Sequence, residues 1–198
     1  DLSQEEDAVR EKYGPGMFGQ GCLLARRLVE RGVPFVEVSL GAGLGWDTHA
    51  DNFNLVKKLS EELDAGWGTL MTELSERGLL DDTTIVWMGE FGRTPRINGG
   101  AGRDHWPGAM TIVYAGGGLK MGQAIGTTND KAEFPATKAY SVVCVLSTMY
   151  HTLGINHKHA FYDQANVLVK RLVTTEVKLL GGKMIAARER MQRVDKPD

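Results

Sequence analysis

Cysteine is nearly absent from this 198-residue sequence, with Cys22 and Cys144 its two representatives. Both fall in segments whose apolar spacing predicts helices, which excludes a disulfide framework. Neither has the polar setting that activates a thiolate. A surplus of either charge is also missing: 23 Lys and Arg against 25 Asp and Glu leave a formal charge of −2. No broad basic face is therefore available, and nucleic acid is not an expected partner. No apolar run approaches the roughly 20 residues of a bilayer span, and no charged-then-apolar leader opens the chain, so membrane insertion is not expected. Three catalytic signatures are absent as well. The sequence has no Gly-x-Ser-x-Gly elbow, no phosphate loop ending in Gly-Lys-Ser or Gly-Lys-Thr, and no His-Glu-x-x-His helix.

What is present suits one soluble α/β domain spanning 1–198, with 42% hydrophobic residues to build its core. Apolar residues recur at helical spacing from Gly19 to Arg31, with Gly32 placed to cap the end. Phe35 to Leu40 then alternates as a strand should. A glycine-rich loop, Gly41 to Gly45, leads to Trp46-Asp47-Thr48-His49. Steps of three and four from Phe53 to Leu74 predict a long helix, stopped by Gly78. Ile85–Met88 and Met110–Ala115 read as buried strands, and Val142–Leu153 as a further helix ended by Gly154. Lys183 to Lys196 read as a charged, partly exposed helix or tail. Helices alternating with short apolar strands predict an α/β sandwich with a largely parallel sheet. The chain opens on Asp1 and not on methionine, and is expected to be part of something longer.

Ligands of open α/β sheets gather beyond the carboxyl ends of the strands. Unusual polar residues collect in three loops there: Asp47, His49, Asp51 and Asn52; then Glu90 and Arg93; then Asp104 and His105. Carboxylates with imidazoles are a ligand set for zinc, manganese or iron. Each residue also has a plainer reading. Asp47 suits a helix N-cap, Glu90 an ion pair with Arg93 or Arg96, and Asp104 a carboxylate that orients His105. Arg93 either neutralises Glu90 or grips an anionic oxygen. Gly116–Gly118 suit a turn better than an anion nest. His151, His157 and His159 straddle a helix end and a polar loop, where capping is the default.

Trp46-Asp47-Thr48-His49 with Asp51-Asn52, Gly-Glu-Phe-Gly-Arg-Thr-Pro at 89–95 and Gly-Arg-Asp-His-Trp-Pro at 102–107 together resemble the bacterial domain-of-unknown-function family 1501. The stretches 24–33 and 150–155 resemble it too. Its members are often labelled sulfatase-like and are placed in the alkaline-phosphatase superfamily. The resemblance implies a three-layer α/β/α sandwich of which this chain is the C-terminal portion. It also implies one or two divalent cations, zinc or manganese, acting on sulfate or phosphate esters. Asp47, His49 and His105 would hold the first metal and Glu90 would contribute to a second. Asp104 would orient His105, and Arg93 would contact a small anionic ester. Phe91 stands where the superfamily usually has histidine, Cys144 where relatives tend to have an acid, and Val167-Leu168 where Arg-Pro is expected. The resemblance further implies a nucleophile in an upstream half, and export to the periplasm. The rival reading is a non-catalytic member of the fold that binds a ligand or partner. The oligomeric state is not legible.

Overall fold

Helix formation in the first hundred residues follows the apolar spacing closely. A computed structural model describes residues 1–41, 45–156, 160–166 and 168–171. Residues 42–44 of the glycine-rich loop, His157, His159, Val167 and the 183–196 segment lie outside the described residues. The chain divides into two compact units, Asp1–Thr83 with Met88–Thr111, and Thr84–Trp87 with Ile112–Asp198.

In the first unit a short helix α1, Asp7–Lys12, precedes α2, Met17–Glu30, and the long α3, Asn52–Glu76. Phe18, Cys22, Leu23 and Ala25 are buried along α2. Phe18, Cys22 and Leu23 form a core with Tyr13 that Val9, Leu63 and Leu70 also pack against. Fully burying one such side chain contributes about 1.5–3 kcal/mol. Helices α2 and α3 pack directly, and Gly66 lets them approach, because a Cβ there would lie 2.9 Å from the Phe18 ring. Gly32 and Gly78 follow the ends of α2 and α3 with φ of +79° and +67°, the left-handed conformation that closes a helix.

One cation, Arg26, and one carboxylate, Glu73, are buried in this helical packing. Arg26 is 2% exposed, and its guanidinium meets Glu5 at 2.8 Å, Glu30 at 2.9 Å and Glu73 at 2.9 Å. Tyr13 donates to Glu73 at 3.0 Å. A buried cation is tolerable only when paired in this way.

The expected strand at Phe35–Leu40 belongs to no ladder among the described residues. Its alternation survives as packing: Val36, Val38 and Leu40 are half-buried while Phe35, Glu37 and Ser39 are exposed. A strand needs a neighbour, and periodicity within one segment does not supply one.

The first unit also holds β2, Gly92–Arg93, paired antiparallel with β3, His105–Trp106. In the second unit β1, Thr84–Trp87, pairs antiparallel with β4, Val113–Gly116, placing Ile85 opposite Ala115. Tyr114 of β4 donates to the Val145 carbonyl of α4, Val142–Thr152, at 3.1 Å. Gly116–Gly118 make a turn of positive φ closed by Leu119 N–H on the Gly116 carbonyl at 3.1 Å. Ala160–Tyr162 (β5) pairs antiparallel with Leu168–Arg171 (β6). No described helix is long and apolar enough to cross a membrane.

Candidate metal centre

The turn at Trp46–Ala50 is positioned by what surrounds it. Thr48 is buried, and its hydroxyl donates to Asn52 Oδ1 at 2.6 Å, tying the turn to the start of α3. The N-cap of that helix is Asp51, with φ of 48°. Asp47 therefore lies four residues ahead of the cap, and its carboxylate is free for other work.

The turn is then sewn to the loop at 98–103. Arg103 N–H donates to the Thr48 carbonyl at 2.9 Å, Asp51 N–H to Gly100 at 3.1 Å and Asn52 N–H to Ala101 at 3.0 Å. Gly102 makes this approach possible, since a Cβ there would overlap the His49 carbonyl. Asn98 fastens the crossing. Its Nδ2 donates to the His49 carbonyl at 2.9 Å and to Asp104 Oδ1 at 3.0 Å. Its Oδ1 accepts from the N–H groups of Gly100 and Gly102, each at 2.9 Å. The sequence signals Asn98-Gly99-Gly100 as a turn, but gives no sign that the same amide holds a carboxylate of the site.

The third segment arrives through the β2–β3 pair, in which Arg93 is directly opposite His105. Thr94 N–H donates to the Asp104 carbonyl at 2.8 Å, and Arg103 donates to the carbonyls of Thr94 and Pro95 at 2.6 and 2.7 Å. Three separated loops thus meet within one unit.

At their meeting point, Asp47 Oδ1 lies 2.8 Å from His105 Nε2 and 3.1 Å from His49 Nε2. The two Nε2 atoms are 3.3 Å apart. Asp104 Oδ1 is 2.8 Å from His49 Nδ1. The carboxylate thus supports His49 and not, as the sequence suggests, its neighbour His105. The hydrogen bond to His105, joined by the Arg93 guanidinium, holds Asp47 below the usual carboxylate range. Asp104 is lowered chiefly by its hydrogen bonds to His49 and Asn98. Both are acceptors at neutral pH.

The donors suit a transition-metal ion. Tetrahedral ligands at about 2.0–2.1 Å stand about 3.3 Å from one another, close to the 2.8, 3.1 and 3.3 Å separations here. The chemistry points the same way. If His49 donates its Nδ1 proton to Asp104, a neutral ring turns a lone pair from Nε2 toward an ionised Asp47. A cation held among the three atoms would relieve that repulsion. The rings of His49 and His105 are 47% and 50% exposed, which leaves a side open to a further ligand.

Glu90 and Arg93 stand beside this triad. Arg93 Nη2 is 3.2 Å from Glu90 Oε1 and 3.5 Å from Asp47 Oδ1. Glu90 is lowered by a hydrogen bond from its own backbone N–H and by Arg93. The Phe91 ring lies 4.6 Å from the His105 ring and 5.0 Å from the Arg93 guanidinium carbon. Among the described residues, the donor group that could hold an ion is Asp47, His49 and His105, and Glu90 is outside it. In the second unit, His151 occupies the last turn of α4.

One protein family, described as "Protein of unknown function (DUF1501)", matches residues 1–178 of this sequence. Comparison with curated proteins and with solved structures found no match.

Proposed function

This chain belongs to the DUF1501 family, and on that footing we propose that it forms the metal-binding part of a metal-dependent hydrolase of sulfate or phosphate esters. The observation that carries the reading is the convergence of Asp47 Oδ1, His49 Nε2 and His105 Nε2 within 3.3 Å of one another. Two imidazoles and a carboxylate suit zinc or manganese better than calcium or magnesium, which favour all-oxygen sites. When bound, the ion would act as a Lewis acid toward an ester oxygen and lower the proton affinity of an attacking oxygen.

The chain's own residues have distinct tasks. Asp47, His49 and His105 hold the ion. Asp104 fixes the His49 ring so that Nε2 faces the centre, and Asn98 fixes Asp104. Arg93 offers a permanently charged planar fork to the oxygens of a small anionic ester. A three-layer α/β/α arrangement with a mostly parallel sheet, and export from the cytoplasm, belong to the same proposal and rest on the family resemblance.

The test is hydrolysis of 4-nitrophenyl sulfate and 4-nitrophenyl phosphate by the full-length gene product with and without zinc or manganese. Turnover that is lost on chelation, restored by metal and abolished by His105→Ala is expected. A gene product that binds zinc or manganese yet turns over no ester of either class would instead be a non-catalytic, ion-holding member of the fold.

A further inference from the structure

We infer that this centre is built for a single divalent ion, and that the Arg93 guanidinium supplies the second positive charge beside it. The inference rests on the metal-binding reading of Asp47, His49 and His105.

Two carboxylates contact Arg93 at this centre: Asp47, itself a member of the triad, and Glu90. A second divalent ion beside the first would have to share Asp47 with it and take Glu90 as a further ligand. Arg93 is there already. One nitrogen, Nη2, sits between the two acids, 3.5 Å from Asp47 Oδ1 and 3.2 Å from Glu90 Oε1. The guanidinium cannot be deprotonated in a protein, so its charge is permanent and repels a second cation at contact range.

The side chain is also poorly placed to step aside. It is 18% exposed, its backbone lies in β2 opposite His105, and the Phe91 ring is beside the guanidinium at 5.0 Å. Phe91 in turn contacts the His105 ring at 4.6 Å and brings no donor atom. Asp104 has Oδ1 engaged by both His49 and Asn98, and Asp51 Oδ1 accepts from Asn54.

The result is an asymmetric pair of charges, one exchangeable metal and one fixed arginine. A tetrahedral oxyanion between them would put one oxygen on the ion and present others to the planar fork. That arrangement fits sulfate and phosphate esters alike, so choice between them is not set by metal count.

Zinc titration of the 198-residue chain by isothermal calorimetry, with native mass spectrometry to count ions, tests this. One ion per chain is expected. Two ions in the wild type would overturn the inference while leaving the metal-binding reading intact, and no ion would overturn both. Glu90→Gln should keep one ion with affinity within about threefold of wild type; loss of an ion or a larger drop would make Glu90 a ligand and contradict the proposal. Arg93→Met, checked for folding by circular dichroism, should admit a second, weaker ion. A well-folded Arg93→Met chain that still takes one would remove Arg93 as the excluding charge.

Discussion

Asp104 Oδ1 stands 2.8 Å from His49 Nδ1, so Nε2 is the nitrogen of His49 that faces Asp47 and His105. A carboxylate behind a ligating imidazole fixes both the ring's tautomer and its direction. Asp104→Ala should therefore weaken zinc binding by about 10- to 100-fold. Competition with a chromophoric chelator measures this. The melting temperature of the metal-free chain should change little, because Asp104 is 52% exposed.

Asn98 acts one step further back, through Asp104 and through the His49 carbonyl. Asn98→Ala removes both contacts and orphans the Gly100 and Gly102 N–H groups. A loss of about tenfold in zinc affinity is expected, together with faster amide exchange across 98–104. Asn98→Asp should not rescue binding, because it sets a second carboxylate against Asp104.

Gly102 tests whether the two loops must touch. A methyl group there overlaps the His49 carbonyl, so Gly102→Ala has to push the Trp46–Ala50 turn away from the 98–103 loop. A destabilisation of about 2 kcal/mol or more is expected from urea unfolding, with zinc affinity falling in parallel. Zinc affinity equal to wild type would show that the ligands do not depend on this contact.

The Arg26 network should govern stability without touching the candidate metal centre. Arg26→Met leaves Glu5, Glu30 and Glu73 grouped without their shared cation, at an expected cost of about 3–5 kcal/mol. Glu5 gives the pH dependence its sign. Its hydrogen bond to Arg26, with the charges of Arg26 and Arg27, holds its folded pKa below the ordinary 4.5 despite the opposing effect of burial. Its contribution is present above that value and is lost as pH falls through the lowered folded value. Urea midpoints measured downward from pH 5 should fall less steeply for Glu5→Gln than for wild type.

Cys22 reports on the same core. Burial alone raises its thiol to about 12, so the thiolate is essentially absent at neutral pH. Its labelling by an alkylating reagent should track global unfolding in urea. Rapid labelling of Cys22 in the native chain would contradict the packing of α2 against α3.

Much of the helical structure was legible because helices announce themselves locally. The 3.6-residue spacing and the terminal glycines placed α2, α3 and α4 to within a few residues. Pairing is non-local and was not legible. Phe35–Leu40 alternates as expected, but nothing within those six residues says what lies beside them. The three site loops stood out through clustered acids and imidazoles, and Asp47, His49 and His105 do converge. Their finer wiring escaped. Adjacent residues of an extended segment point in different directions, so Asp104 reaches His49 while His105 turns to Asp47. Glu90 left two readings open, and the 3.2 Å contact with Arg93 is the ion pair. Arg26 gave little warning, because only Glu30 lies within a turn of it, while Glu5 and Glu73 come from distant parts of the chain.

A crystal structure of the chain soaked in zinc, with anomalous diffraction recorded at the zinc edge, bears most directly on the site. One strong peak about 2.0–2.2 Å from Asp47 Oδ1, His49 Nε2 and His105 Nε2 is the expected result. No peak there at saturating zinc, or a peak bound by other residues while these three stay hydrogen-bonded among themselves, would contradict it.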